Sequence, residues 1–484
     1  MADSDESNFE CVVIGGGICG VSCIETISIL SPLCKTLLIS GSPLVKVATG
    51  VRQLTKTLEE FDVEERAFDW VESRNANIRV VSGQVTTVDS EKHVVHLADG
   101  RIFSYKMLCV CSGGKPKVIA ENNPFVLAIR DTETVQEFVR KLADAKRIAI
   151  IGNGGIATEM VWELEGVDAV WVIKDSSISA AFVDAGAAEF FLDSWKNRKD
   201  KHPATCVQLK RIKYTNNDAA KITPFGSALG PDWATGLLMK GKSDHSSDFP
   251  IQLELNCEVK RILTPKEYAA VFGTPTESWP VYVELTNGKH FGCDFIVSAT
   301  GVTPNVDFLQ KTLPAGAFAV DGGVTVDDCM ESMVKDIFVA GDACTAGWPF
   351  SPHWFQMRLW TQARQMGAYA AKCMLAKLNQ EPITMDFTFE LFAHATKFFG
   401  FKVILLSLFN GQRLGSDYEV LLRMTKGVEF IKLILKDGAV QGAVLIGETD
   451  LEETFENLIL NGTDVSAYGE DLLNPDIDID DYFD

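Results

Sequence analysis

Val12-Val13-Ile14-Gly15-Gly16-Gly17-Ile18-Cys19-Gly20 carries the strongest architectural signal in the chain. An apolar run ends in glycines and passes into a second apolar stretch with helical character. The arrangement returns as Ile148-Ala149-Ile150-Ile151-Gly152-Asn153-Gly154-Gly155-Ile156-Ala157. Strand, glycine turn, helix is the context a dinucleotide-binding turn requires. The first glycine permits the tight turn, the second lets backbone approach a pyrophosphate, and the third, or a small alanine, lets helix pack on strand. The pyrophosphate then rests on free N–H groups at the helix N-terminus, where the helix dipole favours negative charge. One such turn says little, because glycines mark ordinary turns. Two strand-flanked copies predict two dinucleotides on one chain, and the economical pair is a flavin and a nicotinamide.

A chain of 484 residues exceeds one domain. Residues 9–15 and 36–40 read as parallel strands around a helix at 18–30, and 147–151 opens a second such unit. The expected fold class is α/β, with two Rossmann-like dinucleotide-binding domains and an α+β C-terminal domain. The expected boundaries are 1–128 and 294–385 for a split FAD-binding domain, 129–293 for the nicotinamide domain, 386–470 for the C-terminal domain and 471–484 for an acidic tail. Residues 194–250 are basic, polar and irregular, and read as an insertion. This stretch has few interleaved aromatics, so no direct nucleic-acid binding is expected.

The formal net charge is −21, and residues 448–484 hold 13 acids with no Lys or Arg. The 12 cysteines lack the spacing of a disulfide scaffold, which fits a reducing compartment. The first residues are acidic and show no apolar signal region, and the apolar runs are too short to span a bilayer. A cytosolic location, with the nucleus left open, and no membrane association are expected. No His/Cys cluster has metal-site spacing, so no metal is expected.

Two further motifs complete the pattern. Asp294-Phe295-Ile296-Val297-Ser298-Ala299-Thr300-Gly301-Val302-Thr303-Pro304-Asn305 is a strand ending in Ala-Thr-Gly, followed by Pro-Asn. Asp336-Ile337-Phe338-Val339-Ala340-Gly341-Asp342 is a strand ending in Gly-Asp. With the two glycine turns, these resemble the pyridine nucleotide-disulfide oxidoreductase superfamily over residues 9–385. Leu359-Trp360-Thr361-Gln362-Ala363-Arg364-Gln365-Met366-Gly367 and Gly447-Glu448-Thr449-Asp450-Leu451-Glu452-Glu453-Thr454-Phe455 extend the resemblance almost end to end, to an animal branch of that superfamily. The resemblance implies FAD and NAD(P)H as cofactors. It also implies a protective association with the tRNA ligase complex, guarding that metalloenzyme against oxidation.

Carried over residue by residue, the resemblance places Gly15, Gly17, Ile18 and Gly20 at the first pyrophosphate, and Gly152, Gly154, Gly155 and Ile156 at the second. Asp342, after Gly341, would bind the ribityl chain through its carboxylate. Lys46 and Glu159 would form an ion pair beside flavin N5 and act as the catalytic pair. Val85, Ser112, Gly113, Arg130, Thr300, Gly301 and Gln362 complete the expected cofactor-binding set. Two recognition positions depart from the pattern. Ser40 stands where a Glu usually holds the adenosine ribose. Lys174, followed by Asp175, replaces the acid that selects NAD, which leaves NADH and NADPH both open.

The redox centre departs too. Ser42-Pro43-Leu44-Val45-Lys46-Val47-Ala48-Thr49-Gly50 contains no cysteine, where disulfide reductases carry their redox pair. The C-terminal His and Glu acid–base pair also has no counterpart; His394 reads as a core residue. Cys19 and Cys23, one helical turn apart, read as small buried side chains. Cys109 and Cys111 share one strand face, which is poor disulfide geometry. The expected function is hydride transfer from NAD(P)H to FAD without a thiol relay, slow or sensor-like. The alternative is a nucleotide-switched binding protein acting through the tail Asn474-Pro475-Asp476-Ile477-Asp478-Ile479-Asp480-Asp481-Tyr482-Phe483-Asp484. A weaker third reading is a disulfide reductase using Cys19 and Cys23.

Overall fold

The computed structural model describes residues 7–129, 131–196, 239, 241, 251–415, 417–474 and 479. Arg130, nearly all of the basic insertion and most of the acidic tail lie outside the described residues. The described chain divides into two units. The first holds residues 7–115 and 303–394; the second holds 116–196, 251–302 and 395–474.

The first unit is built on a parallel sheet in the order Ile337–Val339, Met107–Val110, Cys11–Ile14, Thr36–Ser40, Ile78–Ser82. The four strands from Ile337–Val339 to Thr36–Ser40 are buried at every position. Continuous apolar runs of this kind suit a sheet covered on both faces, as parallel sheets are. The helices Ile18–Leu30 and Trp360–Asn379 belong to the same layer. They approach closely because Gly367 has no Cβ, which would meet the Cys19 carbonyl oxygen at 2.1 Å. Strand order reverses between Cys11–Ile14 and Met107–Val110, and ligands of open α/β sheets bind at the carboxyl side of such a switch point.

The second unit repeats the plan with Val126–Ala128, Phe295–Ser298, Arg147–Ile151, Asp168–Val172 and Ile251–Glu254, all parallel. This corrects two expected boundaries. Phe295–Ser298 pairs with Arg147–Ile151, so the second FAD-side segment starts at Thr303 and not at 294. The C-terminal part is not a separate body. Its sheet, ordered Ala393–Phe398, Phe401–Ser407, Ala439–Ile446, Glu429–Lys436, Glu419–Thr425, joins the nicotinamide-side unit from Ala395 onward. Aromatic rings make that union: Phe182 lies 5.1 Å from Phe398, Phe191 lies 5.2 Å from Phe399, and Trp162 meets Phe399 edge-on at 5.8 Å. Aromatic pairs contribute about 0.5–1.5 kcal/mol each beyond the area they bury. Lys432, buried on Glu429–Lys436, adds an ion pair to Asp184 at 2.7 Å.

Candidate functional site: two dinucleotide cradles

In each unit the glycine turn leaves the carboxyl end of a central strand. Gly15 has φ +119°, a region closed to most side chains. A Cβ there would lie 2.1 Å from the Cys111 carbonyl oxygen. Gly152 has φ +137°, and its Cβ would meet the Ala299 carbonyl oxygen at the same 2.1 Å. The next glycines, Gly17 and Gly154, cap the helices Ile18–Leu30 and Gly155–Glu163 in extended conformation, with no side chain bound to the first turn. A Cβ at either position would touch nothing within 4 Å. Both helix N-termini therefore present backbone N–H groups to open space, as a pyrophosphate requires.

Around the first turn, register alignment brings the other motifs level. Ile14 pairs with Val110, and Val110 with Val339. The residues that follow, Gly15, Ser112-Gly113 and Gly341-Asp342, thus gather on one edge. The Ser112 hydroxyl donates to the Asn305 carbonyl at 2.7 Å, and the Asn305 N–H donates to the Gly113 carbonyl at 2.8 Å. The Pro-Asn motif therefore fixes the Ser112-Gly113 turn. The Asp342 carboxylate has no hydrogen-bond partner among the described residues, and desolvation pushes its pKa up to about 6, against a lowering pull from Arg358. Arg358 donates from Nε to the Asp342 carbonyl at 3.0 Å and pairs with Asp321 at 2.7 Å. A carboxylate held in place with nothing to bind fits a group that brings hydroxyls.

Other expected residues take different roles. Ser40 is buried, and its hydroxyl donates to the Ser42 carbonyl at 2.8 Å. Gln362 is engaged within the fold. Its side chain accepts from the Met357 N–H at 2.7 Å and donates to the Phe355 carbonyl at 2.9 Å, so it braces the segment before the long helix. Val85 opens the strand Val85–Asp89, pairs with Leu97 and is buried in the unit's core. Lys46 is 4 % exposed. Its N–H donates to the Gly16 carbonyl at 2.8 Å, which sets it beside the turn. Its Nζ lies 2.7 Å from Glu65, the residue opposite it across the hairpin Val45–Gln53/Glu59–Arg66. The first unit thus supplies Lys46 with an acid that the motif reading did not name. Glu159 lies on Gly155–Glu163 in the second unit.

The cysteines form a ladder. Cys19 Sγ lies 3.2 Å from Cys111 Sγ, Cys23 hydrogen-bonds Cys109, and Cys109 lies 3.5 Å from Cys111. Helical i, i+4 spacing thus meets strand i, i+2 spacing. Cys19 faces Cys111 and not Cys23, against the pairing that the reductase reading needs. All four thiols are buried. Burial pushes Cys19 up, donation to Cys109 pushes Cys111 and Cys23 up, and Cys109, which accepts from both, is pulled down. Raised thiols such as Cys19 and Cys23 are poor nucleophiles. His394 is 1 % exposed, as the apolar run around it predicts, and burial lowers its pKa to about 4.

The second turn opens on a cleft of about 790 Å³ lined by Gly152, Gly154, Lys174, Asp175, Thr300 and Gly301 among others. The Trp171 indole N–H holds the Gly152 carbonyl at 2.7 Å. Asn153, the variable residue of the turn, donates to the Asp175 carboxylate at 2.8 Å and to the Ser177 carbonyl at 2.9 Å, and accepts from the Ser179 N–H at 2.6 Å. Thr300 donates to the Lys117 carbonyl at 3.1 Å.

The model of the family described as pyridine nucleotide-disulphide oxidoreductase matches residues 9–202 and 243–367. The chain belongs to this family. Its members are oxidoreductases that use FAD and a nicotinamide nucleotide. Among curated relatives, "pyridine nucleotide-disulfide oxidoreductase domain-containing protein 1" of Mus musculus is 52% identical, covering 98% of both chains. Among solved structures, a ferredoxin reductase from Rhodopseudomonas palustris covers 98% of this chain and 99% of its own at 16% identity and a TM-score of 0.69. A water-forming NADH oxidase from Lactobacillus brevis covers 97% and 93% at 16% identity and a TM-score of 0.64. At these identities the structures show the shared fold. No helix among the described residues is long and apolar enough to cross a membrane. The oxidoreductase family name includes a disulfide, yet among the described residues every cysteine is free and the hairpin Val45–Gln53/Glu59–Arg66 has none.

Proposed function

We propose that this chain is an NAD(P)H:FAD oxidoreductase that works without a redox-active disulfide. The observation that carries the reading is the pair of glycine turns, each closed beneath by a carbonyl and open at its helix N-cap. Bound FAD would supply a two-electron acceptor and NAD(P)H a hydride. The residues present fit both groups. Gly15, Gly17 and Ile18 would hold the flavin pyrophosphate by backbone N–H groups. Asp342 would accept from ribityl hydroxyls, aimed by Arg358. Gly152, Gly154 and Gly155 would hold the second pyrophosphate. Lys46, held by Glu65, would stabilise negative charge that develops close to the first turn.

With no thiol relay, electrons leave to oxygen, to a quinone or one-electron acceptor, or to a protein, or they remain as a long-lived reduced state. This behaviour suits a slow, sensor-like oxidoreductase. The resemblance adds a protective role toward the tRNA ligase complex in cytoplasm and nucleus. The acidic tail, with Asp and Ile alternating before a terminal Tyr-Phe-Asp, is the segment we assign to partner contact. Anaerobic titration of FAD-loaded protein with NADH and NADPH, followed by absorbance, tests the reading. Bleaching of the oxidised flavin band supports it; no bleaching by either nucleotide overturns it. Deleting residues 474–484 should abolish protection of the ligase and leave bleaching intact.

A further inference from the structure

Resting on the cleft of the second unit being the nicotinamide-nucleotide site, the placement of Lys174 sharpens which nucleotide it takes. In a dinucleotide-binding unit the residue that reads the adenosine ribose stands at the end of the second strand, about 20 residues beyond the glycine turn. Here that strand is Asp168–Val172, and the backbone just after it is clamped on both sides. The Ile173 N–H donates to the Glu254 carbonyl at 2.8 Å, the Cys257 N–H to the Ile173 carbonyl at 3.1 Å, and the Asn256 N–H to the Asp175 carbonyl at 3.0 Å. Lys174 is therefore held by its neighbours' backbone at the cleft wall, while its side chain is exposed. No carboxylate pairs with its ammonium among the described residues.

The acid that could oppose a phosphate is differently placed. Asp175 accepts the Asn153 amide at 2.8 Å and so is drawn back toward the glycine turn. Two more cations line the cleft, Lys260 and Arg261, and both already bind Glu284, at 2.8 and 2.5 Å. Glu258 is the remaining acid of the lining. Among the described residues, Lys174 is thus the lining cation with no acid partner, at the position where a ribose 2′ group would arrive.

We propose that this cleft prefers the 2′-phosphorylated nucleotide, NADPH, over NADH, with Lys174 as the specificity-determining residue. Lysine offers three donors on a flexible stem and binds phosphate as a point charge. The preference should weaken as salt is raised, because the pair is exposed.

The test uses ligands that lack the nicotinamide, so binding is read apart from flavin reduction. FAD-loaded protein is titrated calorimetrically with 2′-phospho-ADP-ribose and with ADP-ribose at low salt. The expected result is tighter binding of the phosphorylated ligand, by about tenfold. Lys174→Ala should bring the two within about twofold, chiefly by weakening the phosphorylated ligand, and Lys174→Glu should reverse the order. Equal binding by the unaltered protein, or a preference that survives in Lys174→Ala, overturns the proposal and leaves the nucleotide site standing. Binding of neither ligand overturns the nucleotide site itself, and the proposal with it.

Discussion

The two glycine turns have nearly the same backbone and different surroundings. A Cβ on Gly15 or on Gly152 would lie 2.1 Å from a carbonyl oxygen just past a neighbouring strand, and each glycine is followed by a glycine N-cap facing open space. Beneath the first turn lies the thiol ladder of Cys19, Cys23, Cys109 and Cys111. Within van der Waals reach of the second lie Phe182 and Phe398, which approach Gly155. At the end of the second strand the first unit has Ser40, buried and bound to its own loop, whereas the second has Lys174, exposed in a cleft. The third small residue differs too: a Cβ at Gly20 would lie 1.9 Å from the Gly15 carbonyl oxygen, while the second unit accommodates Ala157. The glycine pattern sets a phosphate cradle, and the residues around it set what else the nucleotide must carry.

The comparison breaks most readily at its shared feature. Gly15→Ala and Gly152→Ala each force a Cβ into a carbonyl oxygen at positive φ, costing about 3–5 kcal/mol from overpacking and backbone strain together. Thermal unfolding and bound-flavin stoichiometry separate the two. Gly15→Ala should lose FAD, and Gly152→Ala should keep FAD but fail to be reduced by NAD(P)H. Equal loss of flavin in both variants would mean that the cradles do not act independently.

The buried pair of Lys46 and Glu65 is specific to the first unit. Lys46→Ala removes one partner of a pair with side chains 5% and 13% exposed, and the acid is left behind. The expected cost is about 3 kcal/mol, with Lys46→Ala/Glu65→Ala restoring part of it. If the double variant is no more stable than the single, the pair is not coupled.

Two groups of the first unit give it an opposed pH dependence. Asp342 has its folded pKa raised to about 6, so the native state binds the extra proton. Its contribution is present below the unfolded value near 4 and is lost as pH rises toward 6. His394 is lowered to about 4, so its contribution is present above about 6.5 and is lost as pH falls toward 4. Each accounts for up to about 3 kcal/mol. Asp342→Asn should remove the loss of stability with rising pH, and FAD should remove it as well by giving the carboxylate partners. A pH–stability curve that Asp342→Asn leaves unchanged would show that this carboxyl titrates normally.

The smallest effect concerns the thiols. Cys19→Ser/Cys23→Ser should reduce stability by about 1–2 kcal/mol through buried hydroxyls and leave flavin reduction by NAD(P)H unchanged. Loss of reduction with the fold intact would restore a thiol relay.

Much of this was legible before any coordinates. Strand runs of Val, Ile and Leu ending in glycine specify a parallel sheet and its turns, because conformation at Gly15 and Gly152 depends on the residue itself. The burial of His394 follows from the apolar run around it, and the absence of cysteine at residues 42–50 needs no structure. The residues that bear on selectivity were hidden because the contacts they make depend on how the chain folds back on itself. The Ser40 hydroxyl's bond to the Ser42 carbonyl shows only once the strand turns. Glu65 goes unnoticed as an acid for Lys46 until the hairpin sets the two opposite each other. Cys19 meets Cys111 across 92 positions. The C-terminal sheet reads as a separate domain until Phe398 and Phe399 are found against Phe182 and Phe191. Local sequence determined the backbone of both cradles, since glycine's freedom is intrinsic. Only tertiary structure decided which side chains remain free to meet a ligand, since a hydrogen bond or ion pair is made by whichever group the fold brings within reach.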